Sequence, residues 1–205
     1  MDSNRRAFLN LAANAQGSPA REAIRKHYFP DILLQGHDGK AYRFYEDLIK
    51  DKVVVLNFMY LNCEDGSCPI TTHSLLQVQK RLRSRVGKDI FMYSITLDPE
   101  RDTVPALKKY TRAHGIRPGW LFLRASAADT YVLRRKLGYY NRVPERDALK
   151  STHAGMIRYG NEPRQQWAAV SSFASPDVIA RAIQWVAPGK AAPKGKDTPH
   201  AHHHA

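Results

Sequence analysis

Hydrophobic and polar positions fall into short blocks along this chain. Residues 53–60 read Val-Val-Val-Leu-Asn-Phe-Met-Tyr. A β-branched and aromatic run this short, with almost no polar member, predicts a strand buried on both faces. Residues 90–97 repeat the pattern, and residues 120–123 give a third, shorter strand. Between the first two, Leu75, Val78, Leu82 and Val86 recur at spacings of 3, 4 and 4, the apolar stripe of a helix entered at Pro69. Asp102-Thr103 caps a helix over 104–114, with Pro105 tolerated in its first turn. Ser126 caps another, ending near Leu137. Residues 154–159 and 166–170 predict two late strands joined by a turn over 160–163. Ser175-Pro176-Asp177 opens a last helix with Ile179, Ala182, Ile183 and Val186 inward. Upstream, residues 29–48 read as a hairpin whose Asp38-Gly39 pair suits a turn with positive φ.

The order is therefore hairpin, β, α, β, α, β, α, β, β, α. Alternating strands and helices argue for a sheet covered on both faces. A closing β-β-α after β-α units matches an α/β, thioredoxin-like architecture: a central mixed sheet flanked by helices, with an N-terminal β-hairpin. One domain over 27–187 is expected, with no internal repeat. Residues 188–205 shift to Ala, Pro, Lys, Gly and His and read as a disordered tail. Its terminal histidines would be either a weak metal-collecting tract or a purification tag.

Residues 1–26 read as a signal and linker. Arg5-Arg6-Ala7-Phe8-Leu9 resembles a twin-arginine export signal, followed by a short apolar stretch and an Ala13-Asn14-Ala15 cleavage pattern. Export would place the domain in the periplasm or another extracytoplasmic compartment. The alternative is a short basic N-terminal arm. No run approaches the ~20 apolar residues of a membrane-spanning helix.

The composition narrows the class. Of 205 residues, 43% are hydrophobic and 25% charged, which excludes wholesale disorder. Two cysteines exclude a disulfide-dense scaffold. The net charge is +13, of which +8 lies on residues 27–186. A basic body invites a nucleic-acid reading. However, its densest run, Lys80 to Arg85 with Lys88 beyond, alternates with apolar residues as the wet face of an amphipathic helix does, and no nucleic-acid motif accompanies it. No nucleic-acid partner is expected. Docking on an acidic partner or an anionic membrane surface is the alternative.

The candidate chemistry is concentrated in Cys63-Glu64-Asp65-Gly66-Ser67-Cys68-Pro69. Both cysteines fall after the first buried strand and at the start of a helix. Sites in open α/β sheets lie beyond the carboxyl ends of the strands, and a helix N-terminus favours the thiolate, which is both nucleophile and metal ligand. The pair can close a disulfide or hold one metal. Being nearer the helix, Cys68 is expected to be the more acidic thiol, with Glu64 and Asp65 opposing charge on Cys63. Soft sulfur ligands select Cu(I). Zinc would want further donors, and Glu64 and Asp65 keep it open.

Residues 56–63 together with Cys68-Pro69 resemble the cysteine loop of the Sco/SenC family, thioredoxin-like copper-binding proteins of cytochrome oxidase assembly. Residues 94–103, Ser-Ile-Thr-Leu-Asp-Pro-Glu-Arg-Asp-Thr, are similar to that family's second signature. Ser151-Thr152-His153-Ala154-Gly155-Met156 supplies its late histidine. The chain departs from the family at one point: four residues separate the cysteines where the family has three.

The resemblance implies a redox pair of Cys63 and Cys68. It also implies Cu(I) or Cu(II) held by Cys63, Cys68 and His153, with Asp98 orienting the loop or meeting the partner. Asp98 reads equally well as a strand-end turn residue. Only the resemblance connects His153 to the cysteines. The implied function is a copper chaperone, or a copper-site thiol–disulfide reductase, acting as a monomer on a cytochrome-oxidase-type copper apoprotein. One alternative is a copper-free peroxide or disulfide reductase. Thr71 and Thr72 follow Cys68, but no peroxiredoxin-like Pro-x-x-x-Thr-x-x-Cys precedes Cys63. Another alternative is a copper or redox sensor. Of the remaining residues, His73 reads as a partly exposed helix histidine and His114 as a helix-end residue. His27 and His37 read as surface, Arg101 as an ion-pair or docking residue, and Trp120 and Trp185 as core.

Overall fold

A computed structural model describes residues 19–63 and 66–187. The signal and tail expectations, and Glu64 and Asp65, lie outside the described residues. The chain forms α1 (Pro19–Tyr28), β1 (Leu33–Gly36), β2 (Ala41–Arg43), a π-helical turn (Phe44–Ile49) and β3 (Val53–Met59). It continues with α2 (Ser67–Leu82), β4 (Ile90–Thr96), α3 (Val104–Ala113), β5 (Trp120–Arg124) and α4 (Ala127–Lys136). A short α5 (Pro144–Asp147), a 3-10 turn (Lys150–His153), β6 (Met156–Asn161), β7 (Gln166–Ser171) and α6 (Pro176–Val186) complete it.

One mixed sheet of seven strands runs β2-β1-β5-β4-β3-β6-β7. β3 is parallel to β4 and antiparallel to β6, and β4 is parallel to β5. Successive strand side chains point to opposite faces. Val54 to Met59 are all buried, so both faces of β3 are covered, as its unbroken apolar run predicts. A polar chain crosses the middle of this core. The Trp120 Nε1–H donates to Ser94 Oγ at 2.9 Å, and the Ser94 hydroxyl donates to Asn57 Oδ1 at 2.7 Å. Asn57, Ser94 and Trp120, buried on the three central strands, are thus joined to one another. β1 and β2 are the expected hairpin, and β1 joins the sheet edge through β5.

Several expectations need correction. Part of the segment read as a linker is helix α1. Helix α2 stops at Leu82 because Arg83 adopts φ 52°. Val86 therefore lies beyond the helix and bridges to Ile90 instead of extending the stripe. Trp120 is core, but Trp185 is 68% exposed, because Ile179, Ile183 and Val186 take the inward face of α6. Thr103 alone caps α3, accepting from the Ala106 N–H, while Asp102 is buried and serves elsewhere. His37 is half-buried, not surface: its Nδ1 accepts the Phe122 N–H at 3.1 Å, and burial lowers its pKa. His27 and His73 are exposed, as expected.

Candidate functional site

β3 ends at Met59 and the chain turns out of the sheet toward α2, which carries Cys63 and then Cys68 past the strand's carboxyl end. Gly66 is the residue that makes this turn. It sits at φ 70° as N-cap of α2, a left-handed conformation that costs non-glycine residues about 1–2 kcal/mol. The helix therefore starts at Ser67, and Cys68 lies in its first turn. The Cys68 N–H donates to Cys63 Sγ at 3.3 Å, and Cys63 Sγ is 3.4 Å from Ser67 Oγ. Both sulfurs are thiols. The four-residue spacing has not separated them.

Their surroundings differ. Cys68 is 1% exposed and Cys63 is half-buried. Burial pushes the Cys68 thiol up to about 12, and its hydrogen bond to Cys63 adds to the rise. The expectation that the helix end would make Cys68 acidic is therefore overturned. Desolvation of a thiolate at that depth outweighs the field of the helix end. The more accessible sulfur, and the one receiving the helix-terminal N–H, is Cys63.

Asp102 supports the loop from beneath. It is 2% exposed and accepts the Leu61 N–H at 3.1 Å and the Thr96 hydroxyl. Burial raises its pKa despite these two hydrogen bonds. Thr96 in turn accepts the Asp98 N–H at 2.9 Å. Asp98 is buried and pairs with Lys150 Nζ at 2.9 Å. Arg101 is exposed. The second signature is thus a polar bracket that ties the cysteine loop to the end of β4. Sequence reading missed Asp102 because an Asp before Thr-x-Pro has the look of an ordinary helix start. Tyr110 was missed too. Its hydroxyl donates to Thr72 at 3.0 Å, and burial, with charge on Cys68 and Cys63 among the smaller causes, raises its pKa.

His153 lies at the end of the 3-10 turn and is 4% exposed. Its Nε2 is 2.9 Å from the Asp147 carbonyl oxygen. A carbonyl only accepts, so Nε2 carries the proton and a neutral ring keeps its lone pair on Nδ1. Backing a histidine with a carbonyl in this way is how metal-ligating imidazoles are commonly oriented. Asp147 is itself clamped by Arg134 at 2.7 and 2.8 Å and by the Asn141 N–H at 2.7 Å. The Arg134 hydrogen bonds hold the Asp147 carboxyl well below the usual carboxylate range. Among the described residues, no three His, Cys, Asp or Glu side chains converge as a metal cage. The two cysteines are brought together, and His153 is not brought to them.

The family model for SCO1/SenC matches residues 26–187, most of this chain. The chain belongs to the SCO1/SenC family. It is 31% identical over 117 residues to the SCO1 protein homolog of Bacillus subtilis, an alignment covering 57% of this chain and 58% of that protein. The chain spans about half the length of the curated relatives it matches. Among solved structures it is similar to BsSco, described through a disulfide switch in a member of the Sco family of cytochrome c oxidase assembly proteins. The TM-score is 0.64, with 23% identity, covering 80% of this chain and 95% of that one. ScoI of Bradyrhizobium japonicum with copper bound gives a TM-score of 0.58 at 20% identity, covering 76% and 96%. At such identities the likeness establishes the fold, and it confirms the thioredoxin-like sheet of this SCO1/SenC chain.

Proposed function

We propose that this chain is an extracytoplasmic copper-handling factor of cytochrome oxidase assembly. It would carry copper on Cys63 and Cys68, with His153 as third ligand, and deliver it to a copper apoprotein. The observation that carries the reading is the meeting of two thiols at the start of α2, with the Cys68 N–H on Cys63 Sγ at 3.3 Å. Two soft sulfurs suit Cu(I), and an added imidazole suits Cu(II). The carbonyl-backed His153, with Nδ1 left for a metal, would take that third place only by moving toward the sulfurs, since the structure does not bring it to them. The copper-bound ScoI of Bradyrhizobium japonicum supports the cargo assigned.

The same pair can serve as a reductant, a role supported by the disulfide switch described for BsSco. The Cys63 thiolate attacks an acceptor disulfide, and one acceptor sulfur leaves as a thiolate. The Cys68 thiolate then attacks the mixed disulfide at Cys63 and releases the second acceptor sulfur. The products are a Cys63–Cys68 disulfide and two acceptor thiols, which take the two protons the cysteines gave up. Cys63 is the attacking sulfur because it is the accessible one.

Anaerobic titration of the reduced chain should give one Cu(I) per molecule at the cysteines, lost in Cys63→Ser and in Cys68→Ser. His153→Ala should weaken Cu(II) more than Cu(I). Deleting residues 190–205 controls for the terminal histidines. Unchanged stoichiometry in the double cysteine variant without that tail would falsify the proposal. Rapid peroxide consumption dependent on Cys63, without tight copper binding, would favour the peroxide reductase instead.

A further inference from the structure

Beside His153 a cleft of about 790 Å³ opens between α4 and α5. Four of its lining residues are the cations Arg134, Arg135, Arg142 and Lys150, against the single carboxylate of Asp147. Asp147 is already taken by Arg134, and Lys150 leans on Asp98. The cleft therefore keeps a positive excess centred on Arg135 and Arg142. Arg135 is held ready. Its guanidinium lies near two half-exposed rings, 5.5 Å from the centre of Tyr131 and 5.1 Å from that of Tyr140. Among the described residues, its one ion pair is a 3.5 Å approach to Asp147. A planar guanidinium set against aromatic rings can still offer its N–H groups to a carboxylate in a paired, bidentate way. The same Tyr131, Arg135 and Tyr140 line a second hollow that continues past Lys136 to His27. The two hollows form one basic groove floored by aromatic rings. Tyr and Arg are the residues that dominate binding energy at protein interfaces.

We propose that this groove docks an extended acidic segment of a partner protein, a carboxylate pairing with Arg135 and an apolar side chain lying on Tyr131 or Tyr140. Charge complementarity chooses the occupant. The chain's own tail, with Lys190, Lys194 and Lys196, has the wrong sign. An aromatic-floored trough fits a peptide, and binding to an anionic lipid surface instead is an outcome of the test below. The docking rests on the groove alone. That the docked protein is also the one served by the cysteine pair rests on the copper-delivery reading, and the test below involves no metal.

The probe is a fluorescein-labelled peptide, Asp-Glu-Phe-Asp-Glu-Phe-Asp, read by anisotropy on the full reduced chain at low salt. It should bind at least tenfold more tightly than its Asn/Gln counterpart. Arg135→Glu should weaken it at least tenfold and Arg142→Glu severalfold. Tyr140→Ala, which leaves the charge intact, should weaken it severalfold as well. Charge reversal on the distant basic face, Lys80→Glu with Arg83→Glu, should change little. Near-UV dichroism checks that each variant is folded. The proposal fails if the Lys80/Arg83 variant loses as much as Arg135→Glu, since binding would then be general charge attraction. It fails equally if Arg135→Glu leaves peptide binding intact. It also fails if phosphatidylglycerol vesicles bind through Arg135 while the peptide does not.

Discussion

The cysteine end of the site and the histidine end are built by different means. Cys63 and Cys68 follow directly from a strand buried on both faces. The main chain places them: the β3 terminus, the Gly66 turn and the first turn of α2 leave the two sulfurs little choice of position. His153 follows a stretch with only a short helix and a 3-10 turn, and side chains place it. Arg134 holds Asp147, Asp147 holds the imidazole through its carbonyl, and Lys150 ties the turn to Asp98. An end fixed by backbone keeps its geometry when surface charges change. An end fixed by a polar clamp can be released piece by piece. If the chain carries copper as proposed, two rigid sulfurs and one releasable imidazole would be a workable division of labour.

Removing Arg134 should break this contrast most strongly. The Arg134–Asp147 pair is nearly buried, with side-chain exposures of 9% and 11%. Deleting one partner of such a pair leaves an uncompensated charge and is expected to destabilise by about 3 kcal/mol. Urea unfolding of Arg134→Ala should show it as a lowered midpoint with the slope m unchanged. The pH dependence has a definite sign. The Asp147 carboxyl is depressed in the folded state, so its stabilisation is present above the unfolded carboxylate value of about 3.9. It is lost as the pH falls below that value toward the folded one. The gap between wild type and Arg134→Ala should therefore close in acid. A gap that stays constant between pH 6 and 3 would mean the clamp is not ionic.

Asp102→Ala tests the other end. It would strand the Leu61 N–H and the Thr96 hydroxyl, at an expected cost of about 1–3 kcal/mol. Asp102→Asn keeps an acceptor and should cost less. Because burial raises the Asp102 pKa, its contribution is greatest in acid and declines as the pH rises through the folded value. That is the reverse of Asp147. If the backbone does place the cysteines, Asp102→Ala should still form the Cys63–Cys68 disulfide on mild oxidation. Two persistent free thiols in its mass spectrum would show that the bracket, and not the chain path, sets their approach.

This contrast also explains what was legible in advance. The strands read correctly because their apolar runs are local signals of two-sided burial, and Cys63 with Cys68 stood out by closeness in sequence. Asp102 and the Arg134–Asp147 clamp were invisible, since each joins groups far apart in sequence or sits where a commoner role explains it. Nothing local in the sequence sets Arg134 apart from its neighbours Arg135 and Lys136, and only its pairing with Asp147 buries it. The Cys68 thiol was misjudged for a related reason. Helix position can be read from sequence, but the 1% exposure that decides the Cys68 thiol cannot. The burial of Cys68 beside the more accessible Cys63 predicts that iodoacetamide modifies Cys63 on the order of tenfold faster than Cys68 at pH 7, measured by peptide mass spectrometry. Equal rates would restore the helix-end argument.

Gly66 offers the smallest and most local test. A Cβ added there meets no atom within 4 Å, so a substitution changes backbone preference and no packing contact. Gly66→Ala must hold φ 70° against a penalty of about 1 kcal/mol or somewhat more. Gly66→Asn should cost less, because asparagine tolerates the left-handed region. If the turn at Gly66 is what brings Cys68 back under Cys63, the strain will be relieved partly by opening the loop. Disulfide formation should then slow in the order Gly66, Asn, Ala, with the fold otherwise unchanged. A fall in stability with no change in that rate would separate the turn from the pairing, and would leave the Cys68 N–H to Cys63 Sγ contact as what holds the sulfurs together.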